Sequence, residues 1–177
     1  MRCFIAIDLP NEIKSELIKL QKQIPEAKLK FVEKENLHLT LIFLGELDNS
    51  QINSLKFKLK EISFKKFKAN LGKIGVFPSE SFIRVVWVGL EPAEMLKNLH
   101  NKIFNQIKNI GNIDKKFESH ITLARAKLIN DKISFIKKLT LLNINPAEFT
   151  VNSFSLKKST LTEKGPVYEE IAKFNLL

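Results

Sequence analysis

The 177-residue chain predicts an α+β fold made of two similar halves, and three observations predict it. Short runs rich in β-branched and aromatic residues alternate with segments whose apolar residues recur every three or four positions. The order strand, helix, strand, helix, strand then occurs twice. Each half also carries one copy of the tetrapeptide His-x-Thr-Leu, as His38-Leu39-Thr40-Leu41 and as His120-Ile121-Thr122-Leu123. No Gly/Ser- or Pro-rich linker divides the halves. The expected organisation is one domain, residues 1–177, of two pseudo-two-fold related lobes.

In the first half, RCFIAIDL (Arg2–Leu9) reads as a strand ended by Pro10. Asn11 reads as a helix N-cap, followed by Ile13, Leu17, Leu20 and Ile24 at helical spacing up to Pro25. Lys28–Val32 is a candidate edge strand, and Leu37–Leu44 a strong strand closed by Gly45. Asn49 or Ser50 opens a second helix with Ile52, Leu55, Leu59 and Ile62 on one face. Phe67–Phe77 and Phe82–Leu90 form strands joined around Pro78-Ser79-Glu80 as a hairpin.

In the second half, Pro92 and Ala93 begin a helix through Leu96, Leu99, Ile103 and Ile107, ended by Gly111. His120–Ala126 is a strand, Asp131–Leu142 a helix, Phe149–Lys157 a strand and Tyr168–Leu176 a last strand. His100, beside Leu99 on the helix, reads as a surface or boundary residue without a catalytic role.

Composition bounds the function. The hydrophobic fraction of 44% and charged fraction of 27% are those of a globular protein. The single cysteine, Cys3, cannot close an internal disulfide and reads as a packed small residue in a reducing cytoplasm. The N-terminal apolar run is too short for a signal peptide, and no segment is long enough to cross a bilayer. The expectation is a soluble intracellular protein that does not engage membranes. A net charge of +10 suits a polyanionic partner, although nearly all the excess is lysine scattered along helix faces.

The tetrapeptide carries the chemistry. Alternation along a strand puts His38 with Thr40, and His120 with Thr122, about 6–7 Å apart on one face. The leucines and the second-position residues then anchor the core. With three histidines and six threonines in the chain, two copies arise by chance on the order of once in ten thousand. A shared function therefore explains them better than two unrelated buried histidines. Two imidazoles facing one cleft suit in-line displacement at phosphorus, one accepting a proton while the other donates one. The threonine hydroxyls can hold the phosphoryl oxygens where charge gathers.

Other chemistries fit less well. Two histidines are too few for a zinc site, and Glu118, two residues before His120, has no counterpart near His38. No serine lies in a nucleophile elbow, and no glycine-rich phosphate loop is present.

These segments resemble the 2H phosphoesterases, and within them the RNA 2′,3′-cyclic phosphodiesterases, also called 2′-5′ RNA ligases. The resemblance runs through MRCFIAIDLP, ENLHLTLIFLGEL, FIRVVWVGL, FESHITLARA and LKKSTLTEKGPVYEEIAKFNL. It implies a bilobal α+β fold of two antiparallel sheets flanked by helices, with a central cleft. It further implies metal-independent, cofactor-free hydrolysis of an RNA-terminal 2′,3′-cyclic phosphate to a 2′-phosphomonoester; a monomer is the expected state. Some members also join tRNA halves through a 2′-5′ linkage.

By the same resemblance His38 is the proton donor, His120 the proton acceptor, and Thr40 and Thr122 hold the phosphate. Arg125 matches a basic residue that follows the second motif in the family. Strand parity turns it to the face of Ile121 and Leu123, so it reaches the cleft only if the strand ends or bulges near Ala124. Core packing is the expectation for Phe4 and Tyr168, and a solvated strand end for Lys157, Lys158 and Ser159. Two alternatives stay open: a relative acting on another cyclic phosphodiester, and a non-catalytic RNA-binding module.

Overall fold

The computed structural model describes residues 1–110, 113, 115–163 and 165–177. The first strand, β1 (Arg2–Asp8), leads into helix α1 (Asn11–Gln21), then β2 (Lys28–Phe31), β3 (His38–Glu46) and helix α2 (Asn49–Lys60). The hairpin β4 (Phe67–Ser79) and β5 (Phe82–Glu91) follows, then helix α3 (Ala93–Ile107), β6 (His120–Leu128) and helix α4 (Lys132–Thr140). The chain finishes with β7 (Glu148–Val151), β8 (Ser153–Thr162) and β9 (Gly165–Asn175).

The strands run in the order β7-β4-β5-β6-β3-β1-β8-β9, with β2 added to β6. Every strand pairing among the described residues is antiparallel. The two expected sheets meet through one ladder pair, Leu39 with Ile121, and so form a single curled sheet. That pair lies in the middle of the two tetrapeptides. Around it the halves correspond: β3 pairs β1 and β1 pairs β8, as β6 pairs β5 and β5 pairs β4. The apolar residues of each tetrapeptide, Leu39, Leu41, Ile121 and Leu123, are buried in one core with the inward stripes of the four helices. Gln21 of α1 ties helix to sheet, its side-chain amide donating to the carbonyls of Leu123 and Val32 at 2.9 Å each.

Four local expectations change. Asn11 is the first helical residue of α1, with Pro10 at the cap, because proline fits the helix entry without losing a needed N–H. Helix α2 is capped by Asp48, whose carboxylate accepts from the Gln51 N–H while the Gln51 side chain accepts from the Asp48 N–H. The predicted strand Phe149–Lys157 is two strands broken at Asn152: β7 completes the edge beside β4, whereas β8 crosses to β1. His100 is buried at 1% exposure, stacked on Phe117 at 4.8 Å, because it lies one turn after Leu96 on the core stripe of α3. The expected stop of α3 at Gly111 lies outside the described residues.

Candidate active site

Both tetrapeptides open onto the face of the sheet opposite the helices, at the seam between the halves. Each ring is fixed in the same way. The Nδ1–H of His38 donates to the Asn36 carbonyl at 2.6 Å, and that of His120 to the Glu118 carbonyl at 2.9 Å. A carbonyl can only accept, so each neutral ring carries its proton on Nδ1 and keeps a lone pair on Nε2. At His38 this lone pair takes the Thr40 hydroxyl, 2.9 Å away.

Aromatic rings hold the imidazoles edge-on. Tyr168 meets His38 at 5.1 Å and 86°, and Phe77 meets His120 at 5.0 Å and 88°. Phe4 packs on His38 from another side, and Trp87 stacks on Phe77. Trp87 lies flat across Gly75, where an added Cβ would stand 2.4 Å from the indole, so only glycine fits beneath it. Phe4 is buried, but against His38, Phe43 and Tyr168 rather than in the main core, and Tyr168 is half-buried against the candidate donor.

Each tetrapeptide ends on the same break in the ladder. In β3, Thr40 faces Ala6 and Ile42 faces Ile5, leaving Leu41 without a partner. In β6, Thr122 faces Trp87 and Ala124 faces Val86, leaving Leu123 without one. Such a bulge shifts the alternation by one residue. Leu41 and Ile42 are therefore both buried, as are Leu123 and Ala124, and the fifth residue after each histidine turns to the open face. In one half that residue is Arg125; in the other it is Phe43, 66% exposed. The bulge on which Arg125 depended is thus present one residue before Ala124. Burial raises the Tyr168 hydroxyl above the usual phenol range, and the nearby charges of Arg125 and Arg2 oppose that rise.

Beside His38 lies a charged group whose members are far apart in sequence. Asp8, the ladder partner of His38, accepts from Lys157 at 2.5 Å. Buried Ser155 lies 3.2 Å from the Asp8 carboxylate and 2.8 Å from that of Glu170. Lys157 is only 15% exposed, so it is no solvated strand end. Burial pushes the His38 pKa down to about 4, with the Lys157 and Lys14 charges adding to the fall. The Asn36 carbonyl and the Asp8 charge act the other way. In the free protein His38 is accordingly neutral at pH 7. Among the described residues, no three His, Cys, Asp or Glu side chains are grouped to hold a metal ion.

The family model described as LigT like Phosphoesterase matches residues 7–87 and matches again at residues 88–168, one copy on each half. This chain belongs to that family. The phosphoesterase is 34% identical to the RNA 2′,3′-cyclic phosphodiesterase of Archaeoglobus fulgidus over 98% of this chain and 99% of the relative. It is 36% identical to the protein of the same name from Methanocaldococcus jannaschii, over 98% of this chain and 100% of the relative. Among solved structures it resembles a Thermus thermophilus protein with a TM-score of 0.86 and 31% identity, covering 99% and 97% of the two chains. It also resembles E. coli LigT complexed with 3′-AMP, with a TM-score of 0.79 and 29% identity over 99% and 96%. No helix among the described residues of the phosphoesterase is long and apolar enough to cross a membrane.

Proposed function

We propose that this phosphoesterase hydrolyses the 2′,3′-cyclic phosphate end of RNA to a 2′-phosphomonoester, in the cytoplasm, as a monomer and without a metal ion. The observation that carries the proposal is the paired arrangement of His38 and His120. Each sits on one open face with Nδ1 tied to a backbone carbonyl, which leaves Nε2 for proton transfer. His120 takes a proton from water as the oxygen bonds to phosphorus, and His38 gives its proton to the departing O3′. Thr40, Thr122 and Arg125 hold the non-bridging oxygens, and the exposed Phe43 offers a ring for a base.

The low pKa of His38 has a place in this scheme. The ring must be charged to donate, and a bound phosphodiester anion supplies the opposite charge that favours the imidazolium. Thr40, which donates to Nε2 in the free protein, is then released to donate to the phosphate. The net charge of +10 favours an RNA end over a free nucleotide through its flanking phosphates. An alcohol in place of water gives a 2′-5′ linkage by the same steps, which accommodates the joining of tRNA halves.

The test is incubation with a short RNA ending in 2′,3′-cyclic phosphate, beside the matching cyclic mononucleotide. The expected product is the 2′-phosphate, with faster turnover on the RNA and undiminished turnover after exhaustive EDTA treatment. His38→Ala and His120→Ala variants that stay folded lose the activity. A 3′-phosphate product, strict metal dependence, or turnover that survives either substitution overturns the reading.

A further inference from the structure

Beyond Arg125 the open face carries a charge pattern of its own. Buried neighbours show which residues of β5, β6 and β2 turn outward. On β5, Ile83 and Val86 are buried and Arg84 has no partner in β4, so Arg84 and Val85 both face out. On β6, Ala124 and Ile129 are buried, Ala126 packs on the core and Lys127 has no partner in β2. Arg125, Lys127 and Leu128 therefore face out. On β2, Leu29 packs on the core, so Lys28 and Lys30 turn outward on either side of it, Lys30 as the ladder partner of Arg125. Three adjacent strands thus present five exposed cations on one face: Lys28, Lys30, Arg84, Arg125 and Lys127.

These charges have almost nothing of their own chain to neutralise them. Strands β2 and β6 contain no Asp or Glu, and β5 has only Glu91 at its far end, past the ladder partner of His120. Glu26 and Glu80 stand outside the strands, just before β2 and β5. None of the five cations joins an ion pair among the described residues. The other half differs: the lysines of β8, Lys157 and Lys158, are each taken by a carboxylate, Asp8 and Glu169. Unpaired like charges on one face repel one another, and a polyanion laid along them relieves that repulsion while releasing its own counterions.

The strip also carries apolar surface. Phe82 is 51% and Leu128 57% exposed, and the Arg84 guanidinium lies over the Phe82 ring, 4.5 Å from its centroid. That contact holds the charge in place and leaves its N–H groups free to donate. Exposed ring and aliphatic surface beside cations suits a single strand, whose bases are open to contact, better than a duplex, whose bases are hidden.

We propose that this strip carries the single-stranded RNA leading to the cyclic end. Its internucleotide phosphates meet Lys30, Lys127, Arg84 and Lys28 as the strand leaves Arg125, with bases against Phe82 and Leu128. The assignment rests on the cyclic end lying between His38 and His120, as proposed above. A 2′,3′-cyclic phosphate closes its strand, so the rest of the RNA leaves the cleft on one side, and the unpaired cations fix that side as the second half. Along β6 the strip spans about 20 Å from Thr122 to Leu128, at ~3.3 Å per residue, which accommodates several nucleotides.

The probe is a labelled, unstructured octanucleotide ending in a 2′-phosphate, its binding followed by fluorescence anisotropy at several salt concentrations. Lys30→Gln/Arg84→Gln/Lys127→Gln removes three charges from the strip. Lys60→Gln/Lys137→Gln/Lys138→Gln removes three exposed charges from α2 and α4 and leaves the same net charge. Each phosphate contact on a single strand contributes about 0.7 to the salt slope, so the strip variant loses about two from it and binds at least about tenfold more weakly. The helix variant stays within about threefold of wild type. On the cyclic phosphate-ended octanucleotide the strip variant raises KM at least about tenfold, and its kcat/KM on the cyclic mononucleotide stays within about twofold. Equal weakening in both variants would reduce the effect to net charge, and undiminished binding by the strip variant would leave the strand elsewhere; either overturns the track. Lost mononucleotide turnover in the strip variant would put these side chains in the site itself and also overturns it. Failure of the wild type to hydrolyse either substrate overturns the acid–base reading instead, because the anisotropy comparison does not depend on turnover.

Discussion

His38 is the residue whose environment bears most directly on the chemistry. Its ring is held neutral by burial and by the lysines behind it, yet the proposed step needs it charged. The Lys157 cation therefore tunes the proposed donor, and removing it has a definite sign. Lys157 disfavours the imidazolium, and its partner Asp8 favours it. Lys157→Met deletes the unfavourable charge and frees the Asp8 carboxylate, so both changes raise the His38 pKa from about 4. NMR titration of the histidine ring protons checks this with little overlap, because the chain has three histidines. The His38 midpoint moves upward in the variant, and the acid limb of kcat/KM, which reports the free enzyme, moves with it. An unchanged or lower midpoint would show that Lys157 does not act on the donor. Nothing local in the sequence announces this lysine: its ion-pair partner lies near the opposite end of the chain, and a charge late in a strand reads as solvated.

At the scale of the element, the decisive feature is the bulge at the last residue of each tetrapeptide. Strand alternation was enough to put each histidine with its threonine, because only two residues separate them. It failed five residues on, where one unpaired leucine reverses the face. The reversal does leave a trace, since Leu41-Ile42 and Leu123-Ala124 are adjacent apolar residues where alternation calls for one apolar and one polar. Laying HLTLIF over HITLAR would have matched Phe43 to Arg125 and given both one environment. The break at Asn152 left no such trace. Residues on either side have strand propensity, and only the choice of partner, β4 or β1, divides them. The bulge carries its own prediction, because it turns a guanidinium toward the proposed phosphate site. Removing one preorganised donor to a developing anion costs roughly 10²–10³ in kcat. Arg125→Ala lowers kcat by about that factor at unchanged thermal stability, since the side chain is exposed. Arg125→Lys restores part of the loss, because it keeps the charge without the planar fork. Steady-state kinetics on the cyclic phosphate-ended RNA decides it, and an Arg125→Ala kcat within twofold of wild type removes the residue from the site.

For the whole molecule, the same arrangement couples folding to pH. The His38 ring titrates near 6.5 when the chain is unfolded and near 4 when it is folded, and burial lowers the His100 pKa as well. A folded-state pKa below the unfolded one means that the unfolded chain binds more protons between those values. Stability from these neutral rings is therefore complete above about pH 6.5 and is lost as the pH falls toward 4. For His38 the difference amounts to at most about 3.5 kcal/mol, and water at the cleft mouth reduces it because the ring is only partly buried. This is a sizeable share of the roughly 5–15 kcal/mol that holds a typical domain folded. An uncharged substitute such as His38→Gln cannot take up the proton, so its urea midpoint falls less steeply between pH 6.5 and 4 than that of the wild type. Inorganic phosphate has the opposite linkage to the free ring. An anion at the site favours the His38 imidazolium, so saturating phosphate flattens the acid loss of the wild type and leaves the slope of His38→Gln nearly unchanged. Urea denaturation of both proteins across that pH range, with and without phosphate, measures all four slopes. Equal slopes for the two proteins would mean that the neutral His38 ring is not what links this fold to pH, and a phosphate effect of equal size in both would place the anion elsewhere.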